Sequence, residues 1–413
     1  MLIRYASWAL LVSLMATHAT DASAQSVRRS RRAKPAEQSV VVAQPAPEAE
    51  PAAESVDPTV KPLEWIKGEG IRGGLLPNWF KDVKVDGAVE ATYTYNDRRP
   101  ANGRNEFRAF DRRHNAGMLN QVQIRMMKDA TEESPVGFGL KVNAGEDADV
   151  FRSLTEEFTD KVEVQEAYGA VRVPVGRGIT VKAGKLPGLA GAEVIETRDN
   201  FNISRGLVFS LLQPFTVTGV RVEAPVSDKV TLTGGLTRGW DVSYEDNNAG
   251  ESVEAKVTYN PTDKTSIGAA VLTGPEQFGN NGNTRTLLDL VVTHKFSDSV
   301  DGFVNADYIT EEGAGSNGGG GDASGVAVGL RKKITEKFSV AGRLEVVDDH
   351  DGARTGTRQS LGSGTVTGDY KFRENVIGRL EFRHDTSSDS TFVSDTRPVS
   401  NQNTIATALL VTF

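Results

Sequence analysis

"VIGRLEFRH", residues 376–384, sorts itself by parity: Val376, Gly378, Leu380 and Phe382 alternate with Arg379, Glu381 and Arg383. A period of two is the signature of a strand whose faces meet different surroundings. The same division appears in "VKVDGAVEATYTY" (83–95), where Val83, Val85, Gly87, Val89, Ala91, Tyr93 and Tyr95 oppose Lys84, Asp86, Glu90, Thr92 and Thr94. It returns in "VEAKVTY" (253–259) and "FSVAGRLEV" (338–346). The final stretch "IATALLVTF" (405–413) closes the chain on the aromatic Phe413. A bare strand edge of this kind invites aggregation in water unless another strand covers it.

Working outward from these stretches, sixteen extended segments are expected, near 83–95, 118–127, 136–143, 162–173, 179–185, 215–224, 230–238, 252–259, 265–273, 285–295, 300–310, 324–333, 338–347, 359–371, 376–384 and 404–413. Most are close to the ~9–11 residues that a tilted strand needs to cross a bilayer. Short links ("DATEESP", "PVGRG", "PVSDK", "NPTDK", "FSDSV", "ITEK", "FREN") alternate with long polar ones such as "NDRRPANGRNEFRAFDRRH" and "DDHDGARTGTRQS", giving seven short turns among eight long loops. An even strand count with this alternation describes an all-β, antiparallel transmembrane barrel of the outer-membrane type. Hydrocarbon requires every backbone group to be paired, so the last strand must close on the first, with the Phe413 ring on the lipid side. Gly87, Gly302 and Gly378 are expected on the lipid face and Gly137, Gly139 and Gly329 in the lumen, all easing curvature.

The remaining chain divides by composition. "MLIRYASWALLVSLMATHATDASAQ" has a basic start, an apolar centre and an Ala-Ser-Ala tail, the pattern of a cleavable export signal over 1–24. Residues 25–62 are expected to form a disordered tether, basic at Arg28, Arg29, Arg31, Arg32 and Lys34 and then rich in Pro, Ala and Glu. Residues 63–82 are read as a short periplasmic or plug segment, and 83–413 as the barrel. With no cysteine and a net charge of −8, neither a disulfide-stapled module nor a nucleic-acid binder is expected.

One link departs from the others: residues 186–214 carry Ile195, Phe201, Ile203, Leu207, Phe209 and Leu211. A connection with apolar side chains is packed against something. As the third long loop it is expected to fold into the barrel and bring Glu196, Arg198, Asp199, Asn200, Asn202 and Arg205 to a constriction. The lumenal parity supplies Lys84, Asp86, Glu90, Arg125, Lys182, Arg221, Glu223, Lys256, Arg343, Glu345, Arg379, Glu381 and Arg383 as pore lining. Rings of one sign would select the opposite ion; this mixture of signs leads to an expectation of weak selectivity. Around 16 strands leave an aqueous channel, whereas about eight fill with side chains.

Residues 184–241 resemble the outer-membrane beta-barrel porin type two family. The resemblance rests on Glu193–Glu196, Asn200 and Phe201, Ser204 and Arg205, Pro214–Thr216, Thr218 and Gly219, Val226–Lys229 and Gly239–Asp241. It implies a porin in the outer membrane of a Gram-negative bacterium, with no catalytic residues. The expected function is passive diffusion of small hydrophilic solutes. Two alternatives stand beside it: a plugged structural or surface-interaction barrel, and a substrate-selective porin for sugars or oxyanions. Expected partners are outer-membrane lipid, lipopolysaccharide and the barrel-assembly machinery, with Phe413 as the assembly signal; a homo-oligomer is compatible with the pattern. No cofactor or metal is expected. "DDHDG" lacks the spaced ligands of a calcium loop, "GAGSNGGGGDAS" has no Lys-Ser/Thr after its glycines, and no nucleophile–histidine pattern appears.

Overall fold

The computed structural model describes Phe80 and residues 82–152, 161–243, 245–315 and 318–413. The export signal, the tether and nearly all of the plug segment lie outside the described residues. Along the chain run β1 (Lys84–Asn96), β2 (Ala116–Lys128), β3 (Val136–Ala144), β4 (Val162–Val173), β5 (Ile179–Pro187) and β6 (Thr216–Pro225). They are followed by β7 (Val230–Trp240), β8 (Ser252–Thr262), β9 (Thr265–Gln277), β10 (Asn280–Lys295), β11 (Val300–Glu311) and β12 (Gly321–Lys333). The last are β13 (Phe338–Asp349), β14 (Gln359–Arg373), β15 (Val376–Ser387), a small hairpin of β16 (Phe392–Ser394) and β17 (Arg397–Val399), and β18 (Asn401–Thr412). Sixteen of these, all but the hairpin, form a closed antiparallel barrel in which each strand pairs with its chain neighbours and β18 returns to β1. Among the described residues one α-helix, α1 (Leu207–Leu212), sits in the connection between β5 and β6.

Closure is registered residue by residue: Val89 faces Val411, Ala91 faces Leu409 and Tyr95 faces Ile405. Gly87 and Phe413 exchange both backbone hydrogen bonds, at 3.0 and 3.1 Å. The Phe413 ring lies where a Gly87 side chain would be, 2.3 Å from an ideal Cβ. Glycine is required there for room, so the terminal aromatic can cover the seam. Parity follows the sequence pattern: Leu344 and Leu380 are 70% and 58% exposed on the outside, whereas Arg343 and Arg383 are 1% and 0% exposed within. Tyr259, Phe296, Phe338, Tyr370, Phe372 and Phe413 are exposed at or beside the short-turn end, as in an interfacial aromatic girdle.

Three expectations are corrected. The link between β9 and β10 is not long: both strands extend until only residues 278–279 remain, with Gly279 at φ +65° making the turn. Lumenal Gly139 and Gly329 serve less to bend strands than to leave space, since their Cβ positions fall 2.4 Å from the Tyr168 ring and 2.2 Å from the Phe303 ring. The lumen is also not uniformly ionic. Leu272, Leu287, Phe303, Ile309, Ala327 and Val347 on β9–β13 face inward and form a buried cluster with α1.

Candidate lumenal site

The third long connection, here L3 (188–215), crosses the lumen from β5 to the opposite wall. Its helix begins at Gly206 without a side-chain cap, yet two carboxylates take the role. Glu193 Oε2 accepts the Gly206 N–H at 2.7 Å, and Glu345 Oε1 accepts that of Val208 at 3.3 Å. They satisfy N–H groups that a helix start leaves unpaired, and complement its positive end. All six α1 residues, five of them apolar and one Ser210, are buried, as a helix with so little polar face must be. Val208 and Leu212 pack where β12 carries Gly325, whose Cβ would approach Leu212 Cδ1 to 2.7 Å and Val208 Cγ2 to 2.9 Å. The inward sequence Gly321, Ala323, Gly325, Ala327, Gly329 on β12 therefore makes a shallow seat for α1, which meets β11, β12 and β13. Gln213 just past the helix donates to Asn305 at 2.9 Å and Asp307 at 2.7 Å.

Arginines from β13 and β15 bind the rest of L3 by its backbone. Arg343 donates to Glu193 at 2.6 Å and to the Ser204 carbonyl at 2.7 Å, while also pairing with Glu345 at 2.8 Å. Arg379 reaches the carbonyls of Thr197, Asn200 and Asn202 at 3.1, 3.0 and 3.3 Å. Arg383 donates to the Arg205 carbonyl at 2.7 Å. Between them Glu381 accepts the N–H groups of Ile203 and Ser204 at 2.6 and 3.1 Å. Ionised partners make these the stronger class of hydrogen bond.

Outside L3 lie the first long connection, L1 (97–115), and the described part of the second, L2 (145–152 and 161). Phe110 of L1 stacks on Phe209 and meets Phe215 edge-on, and the Arg205 guanidinium lies 4.3 Å over its ring. Arg108 reaches across to Asp385 at 2.6 Å. Asp147 of L2 accepts from Asn120 and Gln121 at 3.1 and 3.0 Å. Burial pushes the Asp147 carboxyl up despite nearby Arg205, and burial likewise raises Glu193 against Arg343. Burial alone would raise Glu196 too, but Lys141 outweighs it and holds that carboxyl below its ordinary range.

Of the six residues expected at a constriction, two reach the open side of the lumen. Arg198 contacts Asp86 at 2.9 Å, and Asp199, 49% exposed, lies 4.0 Å from Arg125. The other four are buried and hold L3 in shape. Glu196 binds Lys141 at 2.7 Å, and Asn200 bridges the Val194 N–H and carbonyl. Asn202 donates to Thr367, and Arg205 to the Ile195 carbonyl. The expected pore lining divides in the same way. Asp86, Arg125, Lys182 and Glu223 remain partly exposed, with Arg125–Asp86 at 3.0 Å and Lys182–Glu223 at 2.7 Å, and Lys84 pairs with Asp129 at the turn end. Arg221 is instead buried against Glu254 at 2.6 Å, and Lys256 donates to the Leu189 carbonyl at 2.7 Å. Glu90, Arg343, Glu345, Arg379, Glu381 and Arg383 are buried as well.

Sequence reasoning missed Phe110, Asp147, Arg108 and Arg354, the last of which donates to the Leu211 carbonyl at 2.7 Å. They sit in polar loops, and only the isolated Phe110 carried a signal of packing. Among the described residues no cluster of three or more His, Cys, Asp or Glu could hold a metal.

The family model described as "Putative beta-barrel porin-2, OmpL-like" matches residues 82–413. In sequence, no curated protein matches the chain. Among solved structures the chain is similar to the outer membrane channel DcaP of Acinetobacter baumannii, with TM-score 0.54 and 13% identity over 80% of this chain and 97% of that one. It is similar to the anion-selective porin from Comamonas acidovorans, with TM-score 0.53 and 12% identity over 80% and 99%. A trimer form of OmpT from Vibrio cholerae gives TM-score 0.52 and 13% identity over 80% and 99%. At such identities the likeness is one of fold.

Proposed function

Because the chain belongs to the OmpL-like beta-barrel porin-2 family and is thereby a passive diffusion porin of the outer membrane, we propose that solutes pass along its β1–β6 wall with weak charge selectivity. One observation carries this reading: along β1–β6 and the facing edge of L3 a row of inward charges stays partly in contact with water, Asp86, Arg125, Lys182, Asp199 and Glu223 being a quarter to a half exposed. There Arg125 and Arg198 are paired with Asp86 and lie beside Asp199, and Lys182 is paired with Glu223, while the largely covered Lys141 is held between the buried Glu166 and Glu196. Four cations against five carboxylates leave little net charge, and a field without a dominant sign discriminates poorly between ions. Buried groups such as Arg343 and Glu381 are engaged by L3 and are not offered to a solute.

Planar-bilayer recording of refolded protein, followed by the reversal potential in a salt gradient, tests both parts. Steady conductance with a permeability ratio within a few-fold of unity is expected. A silent barrel would favour the plugged alternative. Excising residues 191–211 would then distinguish L3 as the obstruction if conductance appeared.

Two further readings are proposed with this one. Phe413, seated on Gly87 at the closing seam, serves as the assembly signal. The barrel forms a homo-oligomer, for which the trimer form of OmpT is the precedent in fold; native mass spectrometry in detergent would read the number of copies.

A further inference from the structure

L3 leaves a cavity of about 400 Å³ beneath it, at the short-turn end and against β9–β12. Its inner surface is aromatic: Phe201 of L3 and Phe303 of β11 have ring centroids 5.5 Å apart. The Arg331 guanidinium lies 4.5 Å over the Phe201 ring and is oriented by Asp301, with Nη2–Oδ2 at 2.8 Å and Nε–Oδ1 at 3.3 Å. At the rim Lys295 is paired with Asp298 at 3.2 Å. Lys264 and Lys333 also line the cavity, and among the described residues neither ammonium has a carboxylate partner within ion-pair distance. The paired charges neutralise one another, so the vestibule keeps an excess of two cations over an apolar, ring-faced floor.

We propose that this vestibule binds small aromatic carboxylates, the ring lying against Phe201, Phe303 and the Arg331 plane and the carboxylate drawn to the rim by Lys264 and Lys333. Planar rings stack well on aromatic faces and on a guanidinium held flat by a carboxylate. A strongly hydrated polyanion would have to shed water onto the aromatic floor, which disfavours it. The volume lies within the ~300–1,000 Å³ of ordinary small-ligand sites. This site lies across the lumen from the wall assigned to bulk diffusion; the inference rests on that reading only for the ligand's route of access.

The test is equilibrium binding to the full chain in detergent micelles, read by ligand-observed NMR with benzoate as the probe. Saturable binding is expected, with benzamide, of like shape and no charge, binding ~10-fold more weakly, about 1.4 kcal/mol. Lys264→Gln with Lys333→Gln, at exposed turn positions, is expected to weaken benzoate by a similar factor, and Phe201→Leu to weaken both probes. Benzamide binding as tightly as benzoate, or benzoate affinity unchanged in the double variant, would overturn the proposal. The comparison of the two probes on the unaltered protein decides the matter even where a variant fails to fold. Since this readout needs no current, a barrel that binds benzoate but does not conduct would reject the diffusion route and leave the site standing.

Discussion

The inward faces of β11–β13 and of β2–β6 look at each other across one lumen, built from strands of the same alternating kind, and they behave as opposites. On β12 the inward side chains shrink to Gly321, Ala323, Gly325, Ala327 and Gly329, so a helix can lie against the wall and bury its apolar side chains there. On β2–β6 the inward side chains are long and charged, among them Arg125, Lys141, Lys182 and Glu223, and they pair with one another along the wall. The first wall gains stability by excluding water, roughly 25 cal/mol for each Å² of apolar surface covered. The second offers L3 few apolar side chains, among them Leu186 and Val217, and is mostly polar. A barrel of this circumference is thus divided by side-chain size and charge, without any change in strand geometry, into a filled half and an open half.

The sharpest way to break that comparison is Arg343→Met. Arg343 is enclosed between Glu193 and Glu345 and holds the Ser204 carbonyl. Its removal leaves two buried carboxylates without their cation, a change that typically costs ~3–5 kcal/mol. A lower unfolding temperature, by heat-dependent gel mobility, and faster proteolysis within L3 are expected. Adding Glu193→Gln should recover part of the loss; if Arg343→Met alone changes neither readout, the clamp does not hold L3.

Gly325→Val attacks the seat of the helix instead. With Leu212 and Val208 already within 3 Å of the position of the first added atom, overpacking of ~1–3 kcal/mol is expected. The same change at Gly342, which faces outward and has only the Thr365 carbonyl at 3.8 Å, should be nearly silent. Equal effects at the two sites would contradict the idea that α1 is fitted to its wall.

On the open half, Arg125→Gln with Arg198→Gln removes two of the four cations and leaves Asp86 and Asp199 in place. The reversal potential should move toward cation preference by a few-fold in permeability ratio; Arg125→Gln alone should leave stability little changed because its pair with Asp86 is partly hydrated. A matching change of Arg221, buried with Glu254, should instead lower stability. No shift in reversal potential from the Arg125 and Arg198 pair would place the solute path elsewhere.

The smallest effect is expected where L3 rejoins the wall. Asp241, just beyond β7, accepts the N–H groups of Phe215 and Thr216 at 2.9 Å. Burial nevertheless pushes its carboxyl up to about 6, from an ordinary 3.8. Below pH 3.8 the group is protonated both folded and unfolded. Between there and about pH 6 the unfolded chain ionises first, so stability falls as pH rises, and above that the loss is constant. Asp241→Asn keeps the accepting oxygen without the charge, so its advantage in thermal midpoint should grow from pH 4 to 6 and then level off. An advantage independent of pH would refute the assignment.

Much of this molecule was legible before its structure. Fourteen of the sixteen barrel strands begin and end within three residues of their expected positions, all but β9 and β10, because lipid on one side and polar contents on the other impose a period of two, and because Pro, Gly, Asn and Asp mark the turns. The apolar residues of 186–214 announced a packed loop. The hairpin of β16 and β17 gave no such signal, being short and polar. Nor did the two-residue turn at 278–279, since the Gly and Asn residues of 279–283 read as loop although β10 pairs with β9 from Asn280 onward. The candidate site was legible only as a set of inward charges. Which of them meet water is settled by the path of L3, and nothing local to Arg379 or Arg383 distinguishes them from Arg125.

The amino-acid sequence by itself determined the barrel, its strand count, its lipid-facing parity and the loop that turns inward, because those follow from spacing along the chain. Only the tertiary structure decided that Arg343, Arg379, Glu381 and Arg383 hold a loop while Asp86, Arg125 and Lys182 face the open side. The reason is distance in sequence: Glu193 and Arg343 are 150 residues apart, and whether a charge is hydrated or buried depends on what the fold brings against it.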